Sequence, residues 1–325
     1  MPSHRRSILV TRRLAPGVSE RLGAAHDLVL HDSDRAMPRA ELLDAVRGTS
    51  AALTTLDDRV DGEFLDAAGP GLRIVANHAV GLHNVDLAAC AARGVLVSNT
   101  PGVLTEATAD LAMALLLGAA RRIGEGERRV RSGVPWSWSP NFMLGTTLTG
   151  ASLGIVGMGQ IGRAVARRAL GFSMRIGYHN RNPLPTTQEL GASWRPLDAL
   201  LAESSLLVVS CPLSEQTRGL LDAQRLSRLP RGAVVVSITA GVVDEDALAA
   251  ALDSGALLAA AVDNHTDEPA VNTALLGQER AVLTPHLGSA TVETRIAMGN
   301  LATDNILAVL SGRPALTPAA LPPAR

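Results

Sequence analysis

A histidine and a glutamate that could move a proton lie near the end of the chain. His286 belongs to the segment Thr284-Pro285-His286, directly after an apolar run, and Glu268 follows the preceding apolar run. Residues at the carboxyl ends of parallel strands face the ligand crevice of such a sheet. A carboxylate beside the imidazole would orient the ring and favour its protonated form, which makes His286 a candidate general acid. From spacing alone, a structural histidine is an equally good interpretation.

A glycine-rich turn between an apolar run and a helical pattern has the features of a dinucleotide site. The run Leu153–Val156 leads into a G-x-G-x-x-G segment, and a helical pattern follows it. The first glycine permits a tight turn, the second lets the backbone approach a pyrophosphate, and the third lets the helix pack on the strand. The predicted cofactor-binding residues of the turn are Gly157, Met158, Gly159, Gln160, Ile161 and Gly162. The alternative is a glycine-rich turn that binds no ligand.

The residues after the next apolar run indicate which dinucleotide would bind. An NAD site typically has an aspartate or glutamate there, which bonds the ribose 2′-hydroxyl. This sequence has His179-Asn180-Arg181 instead, so no carboxylate repels a 2′-phosphate, and Arg181 can pair with one. We therefore predict a preference for NADP(H), with Asn180 and Arg181 at the cofactor. The alternative is a solvated Arg181 and an enzyme that takes either cofactor.

Short apolar runs alternate with helical patterns along the chain and must position these residues. The first series contains strands such as Ser7–Val10 and helices such as Val18–Ala25, and a second series begins at Ala151. A long helix that starts near Thr105 joins the two series. Strands that alternate with helices of this length form parallel βα units. The sequence therefore predicts an α/β protein built on parallel sheets.

The segment between the two series is irregular and carries two of the three tryptophans, Trp136 and Trp138. It runs from Gly124 to Leu148, which is too long for an ordinary loop. Two large aromatic side chains on one excursion favour an arm that is buried against a second subunit. The alternative is a surface loop folded back on its own domain. After Ser311, a Pro-rich tail is expected to be loose.

The composition excludes several classes of protein. The 30 basic residues, all arginine, balance 31 acidic residues, and the net charge of -1 offers no basic surface for nucleic acid. Without lysine there is neither a lysine Schiff base nor a P-loop lysine. The two cysteines, Cys90 and Cys211, lie far apart and form neither a disulfide framework nor a metal-ligand spacing.

No segment has the features of a secretion or membrane signal. The N-terminal segment Met1–Arg13 contains only a short apolar run, and the longest apolar run is Leu111–Ala120. That length is about half of the ~20 residues that a membrane span needs. We therefore expect a cytoplasmic protein that acts on a small molecule, without a nucleic-acid or membrane partner and without a bound metal.

The motifs along the chain resemble those of the D-isomer-specific 2-hydroxyacid dehydrogenases, most closely the glyoxylate/hydroxypyruvate reductase branch. The resemblance covers nearly the whole chain. Its motifs are Ala79-Val80-Gly81, Asn99-Thr100-Pro101-Gly102, the Gly157–Gly162 turn, Cys211-Pro212-Leu213, Gly241–Leu248, Asp263 with Glu268-Pro269, and Thr284-Pro285-His286. The Trp136-x-Trp138 pair and the segment Tyr178–Arg181 fit the reductase branch.

The resemblance implies two doubly wound parallel-sheet domains. A Rossmann domain that binds NADP, residues 102–288, would be inserted in a flavodoxin-like substrate domain, residues 1–101 plus 289–325, with the active site in the cleft between them. The family is usually dimeric, which agrees with an arm over residues 123–150. We therefore expect a homodimer in which Trp138 reaches the substrate site of the partner subunit.

The resemblance also implies roles for individual residues. His286 would give a proton to the substrate carbonyl as a hydride adds to its carbon, and Glu268 would support that histidine. The backbone of Ala79, Val80 and Gly81 would hold the substrate carboxylate. Asp263 would bond the nicotinamide carboxamide. The further residues expected at the cofactor are Cys211, Pro212, Thr217, Ile238, Thr239, His286 and Gly288.

One position departs from the family at its catalytic arginine. Gly241 and Asp244 fix the register, and Ala240 stands where the arginine belongs. That arginine grips the substrate carboxylate and polarises the reacting carbonyl. The loss of one such contact costs about 2–5 kcal/mol, which is roughly 30-fold to several thousand-fold in rate. We therefore expect an ordinary 2-oxo acid to react poorly.

Further departures lie near Ala240 in the sequence. Ser237 replaces the usual asparagine, and Asn264-His265 replaces an apolar pair. The cluster indicates a site re-specialised for another acceptor, and the alternative is a site impaired by decay or by a deliberate change at Ala240. A single deliberate change would not explain Ser237 or Asn264-His265. His265, His83 and His78 are possible replacement donors, although each is more often a structural or surface histidine.

Three functions fit these residues. The first is an NADP(H)-dependent oxidoreductase with an altered acceptor, which would be a modified 2-oxo acid, a ketone or an imine. The second is a weak or inactivated glyoxylate/hydroxypyruvate reductase. The third is a non-catalytic dimer that senses NADP(H) through domain closure. The retained His286 and Glu268 speak against a pure sensor, because a sensor needs no proton donor.

Overall fold

Runs of valine, leucine and isoleucine form strands that are buried on both faces, as in Leu206–Val209 and Ala233–Ser237. Strands of this kind belong to parallel sheets covered by helices on both sides. The computed structural model describes residues 5–322. The first four residues of Met1–Arg13 and the last three of the Pro-rich tail therefore lie outside the described residues.

The chain divides into two units. The N-terminal unit comprises the described parts of Met1–Leu104 and Ala290–Arg325, and the central unit comprises Thr105–Ser289. Each unit has its own parallel sheet and its own apolar core. The predicted fold class, α/β with two doubly wound parallel sheets, is confirmed.

A five-stranded parallel sheet forms the centre of the N-terminal unit. Its strands are β1 (Ser7–Val10), β2 (Asp27–Leu30), β3 (Ala51–Thr54), β4 (Ile74–Asn77) and β5 (Leu96–Ser98). The helices between them are α1 (Val18–Ala25), α2 (Arg39–Ala45), α3 (Gly62–Ala68) and α4 (Leu87–Ala92). The strands lie in the order β2-β1-β3-β4-β5, which is the order of flavodoxin-like sheets.

A seven-stranded parallel sheet forms the centre of the central unit. The helices are α5 (Thr105–Ala120), α6 (Ile123–Arg131), α7 (Gln160–Leu170), α8 (Leu197–Glu203), α9 (Ala223–Leu226), α10 (Glu245–Asp253) and α11 (Thr273–Leu276), with a 3₁₀ turn at Thr186–Gln188. The strands are β6 (Ser152–Val156), β7 (Arg175–His179), β8 (Ser193–Trp194), β9 (Leu206–Val209), β10 (Ala233–Ser237), β11 (Leu257–Val262) and β12 (Ala281–Leu283). Their order, β12-β11-β10-β9-β6-β7-β8, is the Rossmann order with one more strand at its edge.

The last helix, α12 (Val292–Leu310), belongs to the N-terminal unit. Its residues Ala302, Ile306 and Val309 join the core on one face of that sheet. The expectation of a loose tail is wrong for the part that the structure describes. The backbone nitrogen of Ala319 donates to the carbonyl of Val97 at 2.8 Å, so the tail pairs with the edge strand β5.

The expectation of an irregular excursion after α5 is wrong in its first part, where helix α6 forms. Arg122 precedes it in a left-handed conformation and donates two hydrogen bonds to Glu125, at 2.6 and 2.8 Å. The rest of the arm is irregular, and every residue from 127 to 141 is exposed on this chain. Arg128 of this stretch donates to the carbonyl of Glu279 in its own unit, so the arm and the alternative of a folded-back loop both remain predictions.

Among the helices of residues 5–322, none is both long enough and apolar enough to cross a membrane.

Candidate functional site

The glycine-rich turn joins β6 to α7 at the carboxyl edge of the central sheet. A Cβ on Gly157, whose φ is +100°, would lie 2.4 Å from the backbone nitrogen of Cys211. A Cβ on Gly162 would lie 2.2 Å from the carbonyl oxygen of Gly157. At Gly159, by contrast, no described atom comes within 4 Å of a Cβ. Packing therefore requires the first and third glycines, and the second leaves its side open to a ligand.

The other residues of the turn lie where a dinucleotide fold would place them. Helix α7 begins at Gln160, so its first backbone N–H groups point out of the turn. Met158 is fully buried, and its backbone nitrogen donates to Oδ1 of Asn180 at 2.7 Å. Ile161 packs against the core below the turn. The structure thus brings the predicted turn residues together with Asn180.

Arg181 follows Asn180 at the exposed edge of the same site. Its Nη1 donates to Oε1 of Gln216 at 2.7 Å. Within residues 5–322, Arg181 forms an ion pair with no carboxylate. A neutral amide partner fixes the guanidinium without cancelling its charge. Arg181 is therefore able to attract an anion.

The loop that carries His286 is held by Asp263. This aspartate is fully buried and its Oδ1 accepts from Leu287 N at 2.7 Å and from Thr284 Oγ1 at 2.6 Å. Its Oδ2 accepts from Gly288 N at 2.9 Å. His286 itself has a φ of 54°, a conformation that a residue with a side chain keeps only when its surroundings impose it. Asp263 thus fixes the loop from which the imidazole projects.

His286 and Glu268 are in contact, which their spacing did not establish. The imidazole Nδ1 donates to Glu268 Oε2 at 2.9 Å, and both side chains are about one-third exposed. The other carboxylate oxygen, Oε1, accepts from His265 N at 2.9 Å. Burial raises the pKa of Glu268, but the hydrogen bond and charge of His286 and the His265 N–H outweigh it, so the pKa lies below its ordinary value. The carboxylate is therefore charged and fixed.

Asn264 touches the other nitrogen of the same ring. Its Nδ2 lies 3.1 Å from His286 Nε2. The sequence flagged Asn264 only as a departure from the family and gave it no role. The one signal that points to the site is its position two residues after β11, which pairs with the strand that precedes His286.

The loop after β10 lies beside that of Asp263, because β10 and β11 pair with Ser237 opposite Val262. Ser237 is buried and its Oγ donates to the carbonyl of Thr239 at 2.9 Å. Thr239 Oγ1 is also buried, and no hydrogen-bond partner for it occurs among residues 5–322. Ile238 is buried next to it, and Ala240 follows. This loop therefore presents one unused hydroxyl and no positive charge of its own.

The segment after β9, which contains Cys211, packs against Gly157, the first glycine of the turn. Cys211 is buried against Gly157, as described above, and Pro212 follows it. Thr217 Oγ1 donates to the carbonyl of Pro212 at 2.7 Å and accepts from Ser214 N at 2.8 Å. The hydroxyl of Thr217 thus stabilises this segment. Burial raises the pKa of the Cys211 thiol to about 11.

Other predicted site residues lie elsewhere. Ala79, Val80 and Gly81 follow β4 in the N-terminal unit, where Thr100 N donates to the carbonyl of Ala79 at 2.9 Å and Asn99 Nδ2 donates to that of Val80 at 2.9 Å. Trp138 lies in the arm with 77% of its surface exposed. Ala79, Val80 and Gly81 thus belong to the N-terminal unit, and the histidine cluster belongs to the central unit.

Two of the three proposed replacement histidines have structural surroundings, and His83 is exposed. His265 is buried, and its Nε2 lies 3.1 Å from the carbonyl oxygen of Thr284. His78 lies in the N-terminal unit, where burial and the charge of Arg295 lower its pKa to about 4. A histidine with that pKa is neutral at pH 7, so it carries no acidic imidazolium proton there.

A Rossmann-ordered sheet, a glycine-rich turn and a His–Glu pair in the loops after two adjacent strands together define a nicotinamide-dependent oxidoreductase. The family described as "D-isomer specific 2-hydroxyacid dehydrogenase, NAD binding domain" matches residues 113–288. The chain is also 41% identical over 312 residues to the glyoxylate reductase of Pyrococcus furiosus, covering 94% of this chain and 92% of that protein. The chain therefore belongs to the D-isomer-specific 2-hydroxyacid dehydrogenase family, as the motifs predicted.

Two solved structures share the fold. The TT0316 protein of Thermus thermophilus superimposes with a TM-score of 0.91 at 42% identity, covering 97% of this chain and all of that one. An NADPH-dependent glyoxylate/hydroxypyruvate reductase of Sinorhizobium meliloti, in complex with NADP and malonate, superimposes with a TM-score of 0.83 at 36% identity. That match covers 99% of this chain and 98% of the other. The chain is thus an oxidoreductase that uses a nicotinamide dinucleotide.

Proposed function

We propose that this protein is an NADPH-dependent reductase of a carbonyl or imine group, with His286 as its proton donor. The observation that carries the proposal is the hydrogen bond of 2.9 Å between His286 Nδ1 and Glu268 Oε2. A reduced nicotinamide dinucleotide supplies the hydride when it is bound. His286 Nε2 would give the proton to the acceptor, and Glu268 would stabilise the ring while it is positively charged.

The residues of the central unit fit such a dinucleotide. The open side of Gly159 and the N-terminus of α7 suit a pyrophosphate. Thr239 Oγ1, buried without a partner in the described chain, suits a polar group of the ligand. Asp263 would keep the loop of His286 in place and could accept one further N–H from a carboxamide, because each carboxylate oxygen has two lone pairs.

The acceptor differs from an ordinary 2-oxo acid in this proposal. With Ala240 in place of the arginine, the loop after β10 carries no positive charge of its own that would grip a carboxylate. A ketone or an imine needs a proton donor and a dry pocket more than such a clamp. Reduction of glyoxylate or hydroxypyruvate is the second candidate. The similarity of this chain to the glyoxylate reductase of Pyrococcus furiosus favours it.

One panel tests these functions. NADPH consumption would be measured with glyoxylate, hydroxypyruvate, a larger 2-oxo acid, cyclohexanone and 1-pyrroline. Faster turnover of cyclohexanone or 1-pyrroline than of glyoxylate supports the altered acceptor. Efficient turnover of glyoxylate alone would favour the second candidate. If the protein binds NADPH and reduces nothing, both reductase candidates are contradicted, and the NADP(H) sensor becomes the favoured function.

The cofactor preference is proposed to depend on Arg181. Replacing Arg181 by glutamine should raise the KM for NADPH about tenfold or more, because a charge-assisted contact with the 2′-phosphate is lost. The KM for NADH should change little, since NADH has no such phosphate. Both values would be measured with the best acceptor of the panel.

Arg175→Gln is the matched control, because Arg175 lies at the other end of the same strand β7. It should leave both KM values unchanged. Equal effects of Arg181→Gln on NADPH and NADH would show that Arg181 does not read the phosphate.

The two units are proposed to divide the work of the enzyme. Residues 102–288 would bind NADP, and residues 1–101 with 289–325 would bind the substrate. Within the latter, the backbone of Ala79, Val80 and Gly81 would hold an acidic group if the acceptor carries one. The tethered carbonyls of this loop support a rigid backbone at that place.

We further propose that the arm, residues 123–150, forms a homodimer and places Trp138 of one copy at the substrate of the other. Trp136 and Trp138 are 53% and 77% exposed, and the ring of Trp136 stacks on Phe142 at 5.7 Å. Exposed tryptophans of this kind are typical of interfaces between subunits. Changing Trp136 and Trp138 together to serine should convert the dimer to a monomer in sedimentation at micromolar concentration.

Leu276→Ser is the control for that experiment, since Leu276 is 62% exposed in α11, outside the arm. It should leave the sedimenting mass unchanged. A natural chain that sediments as a monomer would refute the proposed dimer.

A further inference from the structure

The side chain of Asn264 lies against the nitrogen of His286 that faces away from Glu268. Asn264 Nδ2 is 3.1 Å from Nε2, and Glu268 Oε2 is 2.9 Å from Nδ1. Because a carboxylate only accepts hydrogen bonds, Nδ1 carries a proton, and in the neutral ring Nε2 accepts from the amide N–H. Asn264 therefore touches the atom that would release the proton in the proposed reaction.

Asn264 is held between two fixed neighbours. Asp263 is fully buried and its carboxylate accepts from the loop of His286. His265 donates its backbone N–H to Glu268 Oε1 at 2.9 Å, and its own ring is buried. A donor that is positioned before the substrate arrives stabilises developing charge at no cost of reorganisation. The backbone on both sides of Asn264 meets that condition, and only the side-chain amide has to turn from Nε2 toward the acceptor.

We propose that Asn264 is a second hydrogen-bond donor to the reacting oxygen or nitrogen of the acceptor, in place of the arginine absent at Ala240. This inference rests on the proposed reductase function. An acceptor atom about 2.8 Å from His286 Nε2 is also within reach of Asn264 Nδ2, because the two nitrogens are 3.1 Å apart. A carbonyl oxygen has two lone pairs and takes both donors.

The step balances without a proton from Asn264. The acceptor carbon gains a hydride and is reduced, the cofactor is oxidised, and the π pair of the C=O or C=N bond moves to the oxygen or nitrogen. That atom takes the proton from His286 Nε2. The lone pair left on Nε2 then accepts the Asn264 N–H again, which restores the observed contact.

A neutral donor changes what the site selects. A guanidinium polarises the carbonyl and also attracts a carboxylate on the same molecule. An amide N–H polarises the carbonyl alone. The change at Ala240 and the change at Asn264 are therefore one linked alteration, which retains the polarisation and gives up the grip on an acid.

Asn264→Leu tests the inference in two backgrounds, with glyoxylate and cyclohexanone as probes. In the natural chain, kcat should fall about 10²-fold or more, as when one oxyanion donor is removed, while the KM for NADPH stays unchanged. In Ala240→Arg, the loss should shrink below about tenfold, because the guanidinium polarises the same atom. Asn300→Leu in α12 is the matched control and should change neither value.

A second readout does not depend on turnover. The ¹⁵N signal of His286 Nε2 in the cofactor-free protein should move, in Asn264→Leu, toward that of a ring nitrogen that accepts no hydrogen bond. An unmoved signal would overturn the contact. Equal losses of kcat in both backgrounds would mean that Asn264 is only structural.

The failures of the two proposals have different signatures. If the natural chain and Ala240→Arg both reduce nothing in the panel, the reductase function fails, and the role of Asn264 fails with it. If the natural chain reduces an acceptor and Asn264→Leu keeps full kcat on it, only the role of Asn264 fails. If only Ala240→Arg reduces an acceptor, Asn264 does not replace the arginine and its proposed role fails.

Discussion

Replacing His286 by glutamine is expected to lower kcat about 10²- to 10⁴-fold on every acceptor that the protein reduces. Glutamine can still donate a hydrogen bond from a similar position, but it cannot give up a proton to the product. The dissociation constant for NADPH, measured by the quenching of protein fluorescence, should change little, because the glycine-rich turn lies on other strands of the sheet. The loss should therefore appear in kcat.

Glu268→Gln extends the same prediction with a smaller expected loss. The amide keeps a partner for His286 Nδ1 and removes the negative charge that favours the protonated ring. The pKa of Glu268 lies below its ordinary value. Above that pKa the negative charge of the carboxylate stabilises the protonated ring, and this stabilisation is lost only as the pH falls through the pKa. The rate of Glu268→Gln should therefore stay below that of the natural chain at neutral and mildly acidic pH.

His31→Gln serves as the control, since His31 lies in the N-terminal unit with its ring against the carbonyl of Arg35. It should retain full activity. A His286→Gln protein with near-natural kcat would mean that another group donates the proton, and the proposed mechanism would be wrong.

Ala240→Arg should raise kcat/KM for glyoxylate roughly 30-fold to several thousand-fold. A regained charge-assisted contact to the carboxylate is worth about 2–5 kcal/mol, and each factor of ten in rate corresponds to about 1.36 kcal/mol. In the same variant, turnover of the acceptor that the natural chain prefers should fall, because the new side chain occupies and charges its pocket. NADPH consumption with both acceptors measures the two changes together.

Ala240→Met provides the matched control, because methionine adds length without a charge. It should reduce the preferred acceptor more slowly and should not gain activity on glyoxylate. If Ala240→Arg leaves glyoxylate reduction unchanged, the carboxylate is held by other groups. If the natural chain is silent on all acceptors and Ala240→Arg reduces glyoxylate, the scaffold is an ordinary oxo-acid reductase without its clamp.

The fold was predictable because the relevant signals are local. Buried strands appear in the sequence as short apolar runs. The glycine-rich turn is recognised by a strand before it and a helix after it, as found around Gly157. Two local expectations were wrong for a shared reason. Helix α6 depends on the bidentate pair of Arg122 with Glu125, and the tail is ordered by the pairing of Ala319 with β5. Neither contact produces a periodic pattern of apolar residues that could be recognised in the sequence.

The geometry of the candidate site was less predictable. His286 and Glu268 are separated by eighteen positions, and their contact depends on β11 lying beside β12 and on the loop that Asp263 holds. The sequence identified Asn264 as unusual, but only the folded chain places its amide at Nε2. Such contacts arise from the register of neighbouring strands, which periodicity does not encode.

The burial of Cys211 against Gly157 of the glycine-rich turn affects the reactivity of its thiol. Burial raises the pKa of the Cys211 thiol to about 11 from an ordinary value of 9.0. The thiolate is the form that peroxides and alkylating reagents attack, and a rise of this size makes it about a hundredfold scarcer at neutral pH. Cys90 is buried with a similarly raised pKa of about 11. Oxidative stress should therefore leave the nucleotide turn chemically intact, so neither thiol is suited to act as a redox sensor for the proposed reductase.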